Sequence, residues 1–287
     1  MKKKLFFPIL IIAIFLGTIY WMTYSPLNSS VKEEIIFTIE KGEGVKEIAQ
    51  NLESKGLINL APVFCGYVLI AGASGKLQAG TYLLSPSEMN IPDIVKKFTA
   101  GDIAKEKLTF PEGFNADQIY QRLSGVTEAN LTDLKGHEGY LFPDTYEIPY
   151  RISSQEIIKI MTDNFDKKTA GLESEIAKQG KTINDVVIMA SLLEREVKTK
   201  EEKELAAGLL WKRLRAGMPL QVDVSPETYE RRGLPENPIC SPGLESITAA
   251  VYPKASQYWY YLSTPEGKTI FSKTLKEHNI ARAKYLI

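Results

Sequence analysis

The chain has 287 residues, 44% of them hydrophobic and 24% charged, with 35 basic and 35 acidic side chains. That composition belongs to a folded protein rather than a disordered one. The even charge balance argues against a nucleic-acid partner, which would leave a basic footprint. With two histidines and two cysteines in all, the cysteines far apart and without metal spacing, a protein-built zinc site is not expected, nor is any other metal or organic cofactor.

Residues 1–4 form a basic tip, and 5–22 (LFFPILIIAIFLGTIYWM) carry no charge. The run is just long enough to span a bilayer. Tyr20, Trp21 and Tyr24 cluster at its far end, where an aromatic belt lies, and Lys2, Lys3 and Lys4 place the tip in the cytoplasm by the positive-inside rule. No small-x-small cleavage site follows the run, so an uncleaved single-pass anchor over 5–24 is expected, with the rest of the chain outside the cell (plasma or inner) membrane. A polar linker occupies 25–34.

A small α/β module is predicted over 35–105. Residues 35–39 alternate as a strand, 45–55 form a helix stopped at Gly56, 62–71 a second apolar helix, 80–84 a strand and 92–99 a helix. Beyond it, 106–287 reads as a mixed α/β domain, giving an α+β chain. A strand runs from Lys107 into the turn 111–113, a helix covers 114–123, and 139–146 (GYLFPDTY) is an aromatic loop stiffened by Pro143. One long helix or a pair fills 153–179.

The stretch 182–198 (TINDVVIMASLLEREVK) is predicted as a helix. Thr182 caps it and Asp185 sits at the capping-box spacing. Ile183, Val186, Val187, Ala190, Leu193 and Val197 recur at the spacing of one apolar face. Glu194 falls between Ala190 and Val197, beside that stripe, whereas Glu196 points further round. A carboxylate among apolar neighbours is desolvated, which favours its protonated form, the state a general acid needs. The plainer alternative makes Glu194 a border residue of an ordinary amphipathic helix.

A buried helix follows over 201–216. In the extended 218–223, Gln221 and Asp223 share one side, since side chains two apart in a strand point the same way. Residues 233–243 form a Pro/Gly loop, and a short helix starts at Ser246. An aromatic strand over 257–263 turns at 265–267 into a second strand over 269–272, a hairpin, and the last helix opens at 273. Cys65 and Cys240 stand far apart and are compatible with one disulfide or with two free thiols.

These pieces resemble one family, the YceG-like, MltG-type endolytic murein transglycosylases. The resemblance is carried by Pro111-Glu-Gly113, by 139–146, by 189–196 (MASLLERE), by 211–214 (WKRL) and by 218–223 (MPLQVD). It continues through Gly233-Leu-Pro235, Ser241-Pro-Gly243, 249–253 (AAVYP), 271–274 (FSKT) and Glu277-His-Asn279. The resemblance implies a membrane-anchored enzyme that cuts inside nascent peptidoglycan strands, leaves 1,6-anhydro-N-acetylmuramic ends and so terminates strand elongation. It implies that the first acid of the E-x-E segment, Glu194, is catalytic. Peptidoglycan glycan strands are the expected partner, with peptidoglycan synthases expected by analogy. The order of elements over 35–105 resembles a LysM-like module that holds glycan.

The chain departs from the family pattern at Lys212-Arg213-Leu214, at Thr269, and at 230–232, where a longer loop is cut down. Gln221, Asp223, Ser272, Asn279 and Tyr261 are the candidate substrate-binding residues. Tyr258, Trp259 and Tyr260 could stack on sugars or belong to the core. Two other functions stay open: a hydrolase with Asp223 as base, which needs a second carboxylate at a set separation, and a glycan-binding scaffold without catalysis.

Overall fold

The computed structural model describes residues 2–26 and 33–286. Most of the expected linker, and the outermost residue of the basic tip, lie outside the described residues. The chain divides into two compact units, Met1–Glu106 with Pro149–Arg151, and Lys107–Ile148 with Ile152–Ile287.

The first unit starts with α1 (Lys2–Tyr24). Its stretch Phe7–Tyr24 has 18 residues, a mean hydropathy of 1.8, and is almost wholly exposed. A single apolar helix of this kind is compatible with a membrane anchor. After it come β1 (Ile35–Ile39), α2 (Val45–Ser54), α3 (Ala61–Ile70), β2 (Gly80–Leu84) and α4 (Ile91–Ala100). β1 and β2 pair antiparallel, with Phe37 opposite Tyr82. β1 buries alternate side chains, Phe37 and Ile39, as the two-residue period requires, β2 buries Thr81, Tyr82 and Leu84, and α2 and α4 add Ile48, Leu52, Ile94 and Phe98 to one core. Phe98 packs against both Phe37 and Tyr82. Asn90 caps α4 in a reciprocal box with Asp93, which fixes the helix start.

The chain continues through β3 (Lys105–Thr109), α5 (Ala116–Leu123), α6 (Leu131–Lys135), β4 (Thr145–Pro149), α7 (Ser154–Thr169) and α8 (Glu173–Lys178). It then forms α9 (Ile183–Glu196), α10 (Lys200–Arg215), α11 (Glu227–Glu230), α12 (Leu244–Val251), β5 (Tyr260–Ser263), β6 (Thr269–Ser272) and α13 (Leu275–Tyr285). β3 pairs with β4 and β5 with β6. β4 begins inside the stretch predicted as an aromatic loop.

The second unit is built around α9, which packs on α10 and α12. Thr182 accepts from Asp185 N–H in the predicted capping box. Every residue from Val186 to Leu193 is buried. The helix is therefore enclosed on all sides, and the single apolar stripe expected from its spacing is only part of a fully packed surface. Ile183, counted in that stripe, is 36% exposed. α9 also stops earlier than expected. Val197 is extended, and Thr199 forms a second capping box with Glu202 that starts α10. Glu196 is thus the last helical residue.

Candidate active site

Glu194 and Glu196 leave the end of α9 about 200° apart, at about 100° per residue, and meet different surroundings. The Glu194 side chain is 9% exposed and lies 3.4 Å from Lys203 Nζ, itself 5% exposed. Lys203 also pairs with Glu245 at 3.3 Å. The other Glu194 oxygen accepts from Gly243 N–H at 3.0 Å and from the Ser246 hydroxyl at 2.6 Å. Gly243 and Ser246 belong to the start of α12, whose free N–H groups suit an anion. Glu112, on the turn 111–113, is held above the ordinary carboxylate range by burial and by the Glu194 charge.

These surroundings correct the expected setting of Glu194. Its carboxylate meets an ammonium group, a hydroxyl and a backbone donor rather than apolar walls, and it does not line the main cleft.

Glu196 does line it. The cleft measures about 320 Å³. Its walls include Glu196 from α9, Gln221 and Asp223 from the segment after α10, Tyr260 and Tyr261 from β5, and His278 and Asn279 from α13. One Glu196 oxygen accepts from Val224 N–H at 3.0 Å, and the other faces the Tyr261 hydroxyl at 3.3 Å. Burial, opposed in part by the Val224 hydrogen bond, and the Asp223 charge push Glu196 above the ordinary carboxylate range. Its place at the C-terminal end of α9 acts in the same direction. Burial, then the Glu196 charge, holds the Tyr261 hydroxyl well above its usual value.

Asp223 accepts a very short hydrogen bond from Tyr229, whose own hydroxyl is pushed up to about 12, by burial first and by Asp223 next. Gln221 sits at φ 52°, a left-handed conformation that costs a non-glycine residue about 1–3 kcal/mol. Its N–H donates to Thr228 O at 3.0 Å, and Thr228 also bridges Val222 and Ser225. A tightly bonded turn thus holds a strained backbone and aims Gln221 at the cleft.

Arg213 forms the floor. Its Nε donates to Trp259 O at 2.7 Å and its Nη1 to Leu220 O at 2.6 Å, tying α10 to both flanking segments. Tyr260 stacks on His278 at 5.4 Å, and His278 Nδ1 is buried without a hydrogen-bond partner.

Of the candidate binding residues, Gln221, Asp223, Tyr261 and Asn279 meet around Glu196. Ser272 does not join them. It is 3% exposed, sits opposite Tyr260 in the β5–β6 ladder, and its carbonyl accepts from Trp259 N–H. Among the aromatics, Tyr258 packs on Phe271 and Trp259 lies under Lys212, so only Tyr260 of the proposed stacking set reaches the cleft. Both cysteines are free thiols.

Sequence reasoning passed over Glu196, Arg213 and Tyr229. The signal that bears on Glu196 is the T-x-x-E box at Thr199, which ends α9 directly after it. Arg213 stands in the segment 211–214 that carries the resemblance, but neither it nor Tyr229 has a local pattern that would turn it toward a cleft.

The YceG-like family model matches residues 37–227 and 226–284. The chain belongs to the YceG-like family. Among YceG-like relatives, an endolytic murein transglycosylase of Bacillus subtilis is 30% identical over 91% of this chain and 87% of its own length. Another, from Streptococcus pneumoniae, is 26% identical over 88% of this chain, which spans 59% of that longer protein. A crystal structure of a YceG-like protein from Listeria monocytogenes superposes with a TM-score of 0.55 at 30% identity, covering 87% of this chain and 99% of that one.

Proposed function

We propose that this chain is an endolytic murein transglycosylase, anchored by α1 with its N-terminus in the cytoplasm, and that Glu196 is its acid and base. The observation that carries the assignment is a half-buried carboxyl, biased toward its protonated form, in the wall of a polar, aromatic-edged cleft. Protonated Glu196 gives its proton to the glycosidic oxygen as the bond from muramic C1 to that oxygen breaks. The carboxylate then takes the proton of the same sugar's C6 hydroxyl, whose oxygen bonds to C1. Glu196 ends as it began, no water is consumed, and the sugar is left as its 1,6-anhydro form. The nucleophile belongs to the reacting sugar and is already at high effective concentration.

Tyr261 and the Val224 N–H steady the carboxylate between the two proton transfers. Gln221 and Asn279 offer polar contacts to amides and hydroxyls of the glycan, and Tyr260 offers a stacking face. The strand–helix–helix–strand order with antiparallel pairing of β1 and β2 supports reading 35–105 as a LysM-like module that holds the strand.

A second reading keeps Glu194 as the acid, favoured by its closeness to the turn 111–113. Digestion of purified glycan strands, followed by mass analysis, separates the two. Glu196→Gln is expected to lower release of anhydro-ended fragments about 10²–10⁴-fold, the range of general acid–base catalysis. Full activity in Glu196→Gln with loss in folded Glu194→Gln would move the role to Glu194. Reducing ends in place of anhydro ends would instead indicate hydrolysis, with Asp223 as the base.

A further inference from the structure

Helix α3 (APVFCGYVLI) carries no charged residue. Phe64 and Val68 are fully buried in the core of the first unit, and that accounts for one face. Val63, Cys65 and Tyr67 are partly buried against the same core, but the ends of the helix are apolar and open: Leu69 is 73% exposed, Ile70 87%, and Leu60, just before the helix, 42%. α3 lies along α1. Between them runs a groove of about 650 Å³, lined by Phe15, Ile19 and Met22 of α1 and by Pro62, Val63 and Tyr67 of α3. Among the described residues, no charged side chain lines it.

The depth of this contact is informative. Phe15 is nine residues from Tyr24, about 13 Å along the helix at 1.5 Å per residue. Half the hydrocarbon core of a bilayer is about 15 Å. If Phe7–Tyr24 spans the membrane, the flank of α1 that α3 covers lies in the outer leaflet, not above it. A helix satisfies its own backbone groups and can enter hydrocarbon. Leu60 and Ile70 line the groove together with Phe15 and Tyr24 of α1, so one medium meets the exposed residues of both helices.

We propose that α3 is seated in the outer leaflet beside α1, with Leu60, Leu69 and Ile70 among lipid acyl chains and the groove between the helices filled by lipid tails. The first unit would then rest in the membrane surface rather than hang from a tether. This rests on the reading of α1 as an anchor and goes beyond it.

The test uses the full chain in liposomes of phosphatidylethanolamine and phosphatidylglycerol. Nitroxide labels are placed at Leu69→Cys, Ile70→Cys, Ile12→Cys and Lys46→Cys, each with Cys65→Ala. Cys240, fully buried, does not label. All four positions are exposed, so the substitutions leave the core untouched. Collision with dissolved oxygen is compared with collision with a water-soluble nickel chelate. At Leu69 and Ile70 the chelate collision rate is expected to fall about tenfold below that at Lys46, because the bilayer core holds no water, while oxygen collisions stay high as at Ile12. Chelate access at both positions equal to Lys46, with Ile12 protected, overturns the seating of α3 and leaves the anchor standing. Chelate access at Ile12 as well overturns the anchor itself. Protection of Leu69 and Ile70 from both reagents means that protein covers this face, and it also overturns the proposal.

Discussion

The two glutamates at positions 194 and 196 differ in setting, and on the proposed assignment Glu196 carries the chemistry while Glu194 contributes to the stability of the second unit. For Glu196, burial favours the neutral acid and the charge of Asp223 adds to that bias. Removing the Asp223 charge in Asp223→Asn is expected to move the alkaline limb of the pH–rate profile to lower pH, since an opposing charge no longer resists ionisation. If Asp223 were instead the base of a hydrolase, the same variant would lose turnover at every pH. Stability has its own sign. The folded chain holds the Glu196 proton more tightly than the unfolded chain does. Its contribution is therefore present at low pH and lost as pH rises from the usual carboxylate range through the raised value.

Glu194 plays the opposite part. It balances Lys203, which is 5% exposed, and breaking a buried pair by removing one partner costs about 3–5 kcal/mol. Glu194→Gln keeps acceptors for Gly243 and Ser246 but not the charge. It is expected to lower the urea midpoint by at least half as much free energy, while folded protein retains lyase activity. A midpoint equal to that of the parent would show that the ion pair contributes nothing.

At the scale of elements, the cleft is set by how α10 and its neighbours close around α9. Gly208 on α10 faces the carbonyl of Lys254, and a Cβ there would stand 1.9 Å from that oxygen. The obstacle is backbone, and Lys254 is further tied by its own N–H to Glu204 O at 3.0 Å. The Lys212 and Arg213 contacts to Ser256 and Trp259 pass through the same segment. Gly208→Ala should therefore push that segment outward. The expected cost is about 1–3 kcal/mol or more, the usual range for overpacking, read as a lower thermal midpoint together with weaker turnover. An unchanged midpoint would mean that the segment yields freely.

At the scale of the whole molecule, the proposed anchor and the proposed seating of α3 concern the same membrane. Full-length protein is expected to stay with membranes after alkaline carbonate washing, as a spanning helix requires. A chain lacking 2–26 is expected to be released by the same wash, whatever weaker hold α3 keeps. Release of the full-length protein under that wash would exclude a transmembrane α1.

Much of this molecule is legible in the residues alone. The apolar run of α1, the capping box at Thr182, the strand patterns of β1 and β2 and the hairpin of β5 and β6 all rest on local rules: period, cap and turn. The family motifs point to the same region of the second unit. What local rules could not supply was the difference in surroundings between Glu194 and Glu196. Periodicity placed Glu194 on the apolar border, but α9 is enclosed on every side, so its stripe no longer distinguishes core from cleft. That difference comes from segments distant in sequence. Lys203 and the start of α12 close over Glu194, while Asp223, Tyr261 and α13 leave Glu196 at an open wall. Periodicity describes one helix, and a site is made by what packs against it.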